Sequence, residues 1–234
     1  MARPSWLGQR TLPTSSNGLV VVPQTTPEEL RDRRLLTIDT LPTPADESFR
    51  FTIGAIPADV LARSTWVDGC PVPVDGLAYL TMTFWGFDGR VHTGEMIVNA
   101  AQADNMVSVF EKLHAARFPI EEMRVVSQAD LDAEPTGDGN NTTAFVCRAV
   151  TGGSRFSEHA YGLAIDINPF HNPYKRGALI LPELAVEYLD RAGQKPGVVV
   201  AGDVAVEAFA AIGWEWGGDW RSLKDYQHFA LNNR

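Results

Sequence analysis

The segment "SRFSEHAYGLAIDINPF", residues 154–170, places a histidine, a glycine and an aspartate around an apolar strand pattern. Its part "GLAIDINP" alternates apolar residues with small or polar ones, which predicts a strand with one face on the core. Asp166 lies on the other face beside the small Ala164, so a ligand can approach its carboxylate. Gly162 allows the preceding chain to turn, so His159 can fold back toward Asp166. The pair is either a structural histidine beside an aspartate or part of a metal site.

The segment "GWEWGGDWRSLKDYQHF", residues 213–229, favours the metal site. It contains His228, with Asp225 three residues before it. Two neutral imidazoles and one carboxylate are the ligand set of a catalytic zinc site that keeps its fourth position open. Asp225 could then accept a proton from a water molecule without binding the metal, as metal-assisted hydrolysis requires.

The two segments together resemble the signature SxHxxGxAxD…DxxH of VanY-like zinc peptidases. This family contains D-alanyl-D-alanine carboxypeptidases and L-alanyl-D-glutamate endopeptidases of bacterial cell walls and phage lysins. The resemblance implies that His159, Asp166 and His228 bind one zinc ion per chain and that Asp225 is the catalytic base. It extends over about residues 78–234.

The resemblance also implies a role for other residues near the site. Arg148, in "FVCRAV", matches an arginine that polarises the scissile carbonyl, and a fixed guanidinium suits that role. Ser157 matches the family's serine and is expected to bond within the loop or to substrate. Arg155 and Trp220 are further candidates for substrate binding, and the alternative for each is an ordinary structural role.

The chain is predicted to form an α+β fold with a mainly antiparallel sheet flanked by helices. Residues 1–48 are rich in Pro and Thr and predict an extended arm that packs along the body, with "LVVV" as its strand-like piece. Residues 49–234 are expected to form a single zinc peptidase domain. The resemblance implies the fold shared by hedgehog domains and DD-peptidases.

Local patterns predict the individual elements of this domain. Met106, Phe110 and Leu113 share one face of a predicted helix, and Asp203 is a plausible N-cap for a second helix. The remaining expectations are a hairpin over 77–99 with its turn at Asp88–Gly89, strands at 123–130, 143–150 and 225–231, and a loop at 134–142.

Composition limits the partners of the chain. The net charge of −9 over 234 residues argues against a nucleic-acid-binding protein. No apolar run is long enough to span a bilayer, and no secretory signal is visible. Because peptidoglycan peptides are the implied substrate, we expect an extracytoplasmic protein, in the cell wall, secreted or released by phage. We also expect a monomer.

The remaining histidines and the cysteines are expected to be structural. Cys70 and Cys147 form either one disulfide or two buried thiols, and the sequence does not decide between them. His171 is predicted to lie at the surface in a proline-bounded turn, whereas His92 and His114 are assigned structural roles.

Three functions are compatible with these patterns. A zinc peptidase is favoured, and within it the L-alanyl-D-glutamate endopeptidase over the D-alanyl-D-alanine carboxypeptidase. A wall-binding module that keeps zinc only for structure is the second. A serine hydrolase using Ser154 or Ser157 is the third, but the sequence has no G-x-S-x-G motif.

Overall fold

The computed structural model describes residues 1–16, 20–150, 153–193 and 195–232. Within these ranges the helices are α1 Glu28–Arg31, α2 Ala58–Arg63, α3 Ala103–Ala115, α4 Gln128–Asp132 and α5 Val204–Ala210. The strands are β1 Phe51–Gly54, β2 Leu77–Trp85, β3 Val91–Asn99, β4 Glu122–Met123, β5 Asn141–Thr142, β6 Ala164–Asp166, β7 Tyr174–Arg176, β8 Leu179–Leu181, β9 Glu215–Trp216, β10 Lys224–Asp225 and β11 His228–Ala230.

The sheets are small and mainly antiparallel, which agrees with the predicted α+β class. β1, β2 and β3 form one sheet in that order, β10, β7 and β8 a second, and β6, β11 and β9 a third. The short pair of β4 and β5 is parallel. None of the helices in the described ranges has the length and apolarity needed to cross a bilayer.

The main core lies between the long hairpin of β2 and β3, the helices α3 and α5, and the strands β6 and β11. The predicted helix face is confirmed, because Met106, Phe110 and Leu113 are all buried there. Asp203 caps α5 by accepting a hydrogen bond from the backbone N–H of Val206, also as expected. The Phe209 ring of α5 stacks on Phe229 of β11 at 4.1 Å, which joins the helix to the strand that carries His228.

Two of the predicted strands are wrong or shorter than expected. Residues 143–150 are irregular because their backbone groups bond to separate parts of the chain: Phe145 N–H to Ile97, and Val146 N–H to His159. In 123–130 the pairing ends at Met123, and α4 follows. Ser127 and Asp130 form a capping box that starts this helix.

Two further predictions also need correction. Residues 225–231 do not form one strand, because β10 and β11 pair with different sheets on either side of a turn. Of "LVVV", Leu19 lies outside the described residues, and Val20 makes only an isolated bridge to Thr14.

Cys70 and Cys147 form a disulfide, which ties the irregular 143–150 segment to the turn after α2.

The prediction of a surface position for His171 is wrong. The side chain is 1% exposed and stacks on Phe87. Its Nε2 donates to the carbonyl of Arg33 at 2.8 Å, and its Nδ1 accepts from Asn140 at 3.1 Å. Burial lowers the pKa of His171 to about 4, so the imidazole is neutral, as this bonding pattern requires. The turn is polar in sequence, but the N-terminal arm covers it.

The arm is anchored by a buried ion pair. Arg33 and Glu121 are 1% and 0% exposed, and two guanidinium nitrogens lie 2.7 and 2.8 Å from the carboxylate oxygens. Burial by itself would raise the pKa of Glu121, but the Arg33 charge outweighs it and holds the pKa below its usual range. Leu30 and Leu35 of the arm pack on Phe170 beside this pair.

Replacing Arg33 with Leu should lower the free energy of unfolding by about 3 kcal/mol, because it leaves the Glu121 carboxylate buried without its main partner. Urea unfolding monitored by tryptophan fluorescence measures this loss. Arg34→Leu, an exposed site one residue along, is the matched control and should leave the urea midpoint unchanged. Equal shifts in the two variants would contradict the assigned role of the ion pair.

Candidate metal centre

Two of the expected ligands are brought together by strand pairing. β6 and β11 are antiparallel, and Asp166 lies directly opposite His228. Residues paired in this way project from the same face of a sheet. The neighbouring pair, Ile165 and Phe229, projects from the other face and is fully buried in the core. His228 Nδ1 consequently lies 3.1 Å from Asp166 Oδ1.

The third expected ligand, His159, is held by the 3-10 turn Glu158–Tyr161. Ser157 caps this turn, its side chain accepting from the backbone N–H of His159. Gly162 ends the turn at φ 65°, and a Cβ there would lie 2.3 Å from the backbone nitrogen of Asn99. Only glycine therefore fits where the turn packs on β3.

The imidazole of His159 is oriented by its second nitrogen. Nδ1 donates to the carbonyl of Ala144 at 2.6 Å. This bond leaves Nε2 as the free acceptor, and Nε2 lies 3.3 Å from Asp166 Oδ2. A backbone carbonyl that fixes the tautomer in this way is typical of metal-binding histidines.

The donor set fits a zinc ion. One nitrogen from His159, one from His228 and one oxygen from Asp166 lie within 4.8 Å of one another. Two ligands of a tetrahedral zinc ion are separated by roughly 3.3 Å when each bond is about 2.0–2.1 Å, which is close to the spacings found here. Nitrogen and oxygen donors in this combination also accept other divalent ions.

The electrostatics of the cluster favour a cation. Burial would raise the pKa of Asp166, but the two imidazoles outweigh burial and hold the pKa far below its usual range. Burial would lower the pKa of His228, but Asp166 and Asp225 outweigh it and raise that pKa. Both pKa shifts show that a positive charge is stabilised beside the carboxylates of Asp166 and Asp225. A divalent ion bound by the cluster would supply a positive charge at this place.

Asp225 lies next to this cluster but outside it. It belongs to β10, opposite Tyr174 of β7. Its Oδ1 is buried and has no hydrogen-bond partner in the part of the chain that the structure describes. Burial raises the pKa of Asp225 to about 7, and the negative charge of Asp166 adds to the shift. A buried carboxylate oxygen without a partner is costly unless a ligand or water occupies the space.

These residues border a cavity of about 370 Å³. It is large enough for a short peptide segment. Its lining combines the three candidate ligands and Asp225 with arginines, other polar side chains, aromatic rings and aliphatic side chains: Arg148, Val150, Arg155, Phe156, Ser157, Glu158, Tyr174, Arg176, Leu181, Trp220, Leu223, Gln227 and Asn232.

The structure brings the other expected residues to the same cavity. Arg148 lies close enough to Asp225 and His228 to affect the pKa of both, although it is in irregular chain rather than in a strand. The Trp220 ring lies 5.6 Å from the His228 ring. Arg155 and Ser157 line the cavity. Ser157 serves the loop as a cap, one of the two roles predicted for it.

The β7–β8 hairpin is the part of the cavity that sequence reasoning missed. It contributes Tyr174, Arg176 and Leu181 to the lining. The sequence pattern that could have predicted this hairpin is "YKRGALIL", in which a glycine separates two runs that contain apolar residues. In the structure Gly177 forms the turn and adopts φ 58°. Nothing in this stretch by itself connects it with His159 or His228.

Residues 151–231 match a family model described as D-alanyl-D-alanine carboxypeptidase. The match confirms the resemblance to VanY-like peptidases. It contains all three candidate ligands and Asp225, and it begins three residues after Arg148. The finding supports a peptidase of the VanY-like type that acts on peptidoglycan. No solved structure matches the chain.

The cluster of His159, Asp166 and His228 is expected to bind about one zinc ion per chain. Asp166→Asn removes the negatively charged metal ligand that lies between the two imidazoles. The variant should lose stoichiometric zinc binding. Metal analysis after dialysis and competition with a chromophoric chelator measure the loss. Asp219→Asn is the control, because Asp219 is an exposed carboxylate outside the cavity lining. Stoichiometric zinc in Asp166→Asn would show that the cluster does not bind the metal.

Proposed function

We propose that the chain is a zinc-dependent peptidase that hydrolyses stem peptides of peptidoglycan. The observation that carries the proposal is the arrangement around one cavity. A donor set of His159, Asp166 and His228 lies beside a buried oxygen of Asp225 that has no hydrogen-bond partner among the described residues. A purely structural zinc site has no need for such a carboxylate, so the arrangement favours an enzyme over a wall-binding module.

In the proposed reaction, His159, Asp166 and His228 hold a zinc ion. A bound zinc ion supplies Lewis acidity to the scissile carbonyl and to a water molecule. Asp225 accepts a proton from the attacking water and returns it to the leaving amine, so the base is restored after each turnover. Its free Oδ1 is the acceptor for this transfer.

Arg148 is proposed to stabilise the negative charge that develops on the carbonyl oxygen. Its guanidinium remains charged at neutral pH, and its side-chain contact with the protein is Nη1 donating to the carbonyl of Ala149 at 3.1 Å, within the described residues. Other N–H groups are therefore available to an oxyanion. Ser157, Arg155 and Trp220 are proposed to contact the substrate peptide around this centre.

Two bonds are candidates for cleavage. The D-x-x-H form and the context "CR…SRFSEHAYGLAID" resemble the endopeptidase branch of the family, so we favour an L-alanyl-D-glutamate endopeptidase. The description of the matching family supports the alternative, a D-alanyl-D-alanine carboxypeptidase. We further propose the fold shared by hedgehog domains and DD-peptidases for residues 49–234, and action outside the cytoplasm, where peptidoglycan lies.

Asp225→Asn should keep its zinc and lose at least about 100-fold in kcat, because general base catalysis contributes about 10²–10⁴-fold. Release of new amino groups from purified muropeptides measures turnover, and metal analysis measures zinc. Asp219→Asn should match the parent in both measurements. An Asp225→Asn variant as active as the parent would remove the proposed base.

Mass spectrometry of digested muropeptides identifies the bond. Loss of the whole peptide after L-alanine is the expected result, whereas loss of a single terminal D-alanine would assign the carboxypeptidase. A zinc-loaded protein that releases neither product would favour the wall-binding module. Inhibition by a chelator, together with resistance to serine-directed reagents, would exclude the serine hydrolase.

A further inference from the structure

One wall of the cavity is a face of the sheet formed by β10, β7 and β8. Asp225 pairs with Tyr174, and Tyr174 pairs with Leu181, so these three side chains share a face. Alternation along β7 places Arg176 on this face as well and Lys175 on the opposite one. The cavity lining follows this division, because it includes Arg176 and leaves out Lys175.

Arg176 is available to bind a ligand. The residue is exposed, and its guanidinium has no hydrogen bond or ion pair to any residue in the described ranges. Its Cα lies about 7 Å along the strand from that of Tyr174, the residue opposite Asp225. An arginine side chain spans a comparable length, so its charge can reach a substrate group that lies near Asp225.

The charged side chains of the cavity, together with a bound divalent ion, favour an anionic ligand. Although the chain carries a net charge of −9, the described part of the lining contains three arginines, Arg148, Arg155 and Arg176. They balance the carboxylates of Asp166, Asp225 and Glu158. A divalent ion then makes the loaded cavity positive, which favours a peptide that carries free carboxylates.

Both candidate bonds share one chemical feature on the side of the leaving amine. D-Glutamate in a stem peptide continues the chain through its γ-carboxyl group, so its α-carboxylate is free. A terminal D-alanine also carries a free α-carboxylate. Each bond therefore releases a D-residue with an anionic group two bonds from the scissile nitrogen.

We propose that Arg176 binds this free α-carboxylate and thereby makes it a requirement for cleavage. The inference rests on the proposed function and deepens it, because it names the feature that a substrate needs. A guanidinium can bind a carboxylate through two parallel N–H donors, which fixes orientation as well as charge. Arg148 is assigned to the carbonyl oxygen, so the two arginines act on different groups of the substrate.

The test uses two synthetic peptides that differ at one group. The first contains L-alanyl-γ-D-glutamyl-L-lysine with a free α-carboxylate, and the second contains D-isoglutamine, its α-amide. The parent should cleave the acid with a higher kcat/KM. Arg176→Gln should lower kcat/KM for the acid by about 10- to 100-fold and leave the amide nearly unchanged, because a hydrogen-bonded charge pair is lost only with the acid.

Lys175→Gln is the matched control, since it removes a positive charge from the same strand on the other face. It should leave kcat/KM for the acid as in the parent. An equal loss for acid and amide in Arg176→Gln, or no loss for either, would overturn the assignment. So would an equal loss in Lys175→Gln, because it would show a general effect of net charge.

A binding measurement with the two peptides distinguishes the carboxylate site from the proposed peptidase function. In zinc-loaded Asp225→Asn, calorimetry should show tighter binding of the acid than of the amide, and Arg176→Gln in that background should remove the difference. If the parent cleaves neither peptide and releases no product from muropeptides but this difference is found, the peptidase proposal fails and the carboxylate site stands. Equal binding of acid and amide in Asp225→Asn would refute the carboxylate site.

Discussion

The antiparallel pairing of β6 with β11 is the constraint on which the candidate site depends. It puts Asp166 opposite His228 although 62 residues separate them, and backbone hydrogen bonds hold them in register. A shift of β6 by one residue would turn Asp166 into the core and bring Ile165 out, and the same shift of β11 would exchange His228 and Phe229. The burial of those two apolar side chains therefore stabilises the register that assembles the ligands.

The chain beyond this pair is held by polar contacts on the side away from the cavity. Asn168 follows β6, and its Oδ1 accepts from the backbone N–H of Glu121 while its Nδ2 donates to the carbonyl of Pro119. Glu121 in turn binds Arg33 of the N-terminal arm. The arm thus supports the segment that carries Asp166, and it does so from outside the residues that match the peptidase family.

The charged side chains of the cavity lie on separate segments of the backbone. The Asp166 carboxylate lies on β6, the Asp225 carboxylate on β10, and the arginines on irregular chain and on β7. Burial and the negative charge of Asp166 both raise the pKa of Asp225, and a divalent ion beside the two carboxylates would relieve their repulsion.

The sequence by itself determined the local features: the helix face with Met106 and Phe110, the long hairpin, and the spacing that marks His159 and Asp166. These depend on periodicity and turn chemistry within a few residues. Tertiary structure alone decided that His171 is buried under the arm, that residues 143–150 are irregular, and that the β7–β8 hairpin faces the cavity. Each of those outcomes depends on contacts between residues far apart in the chain, for which a local pattern carries no signal.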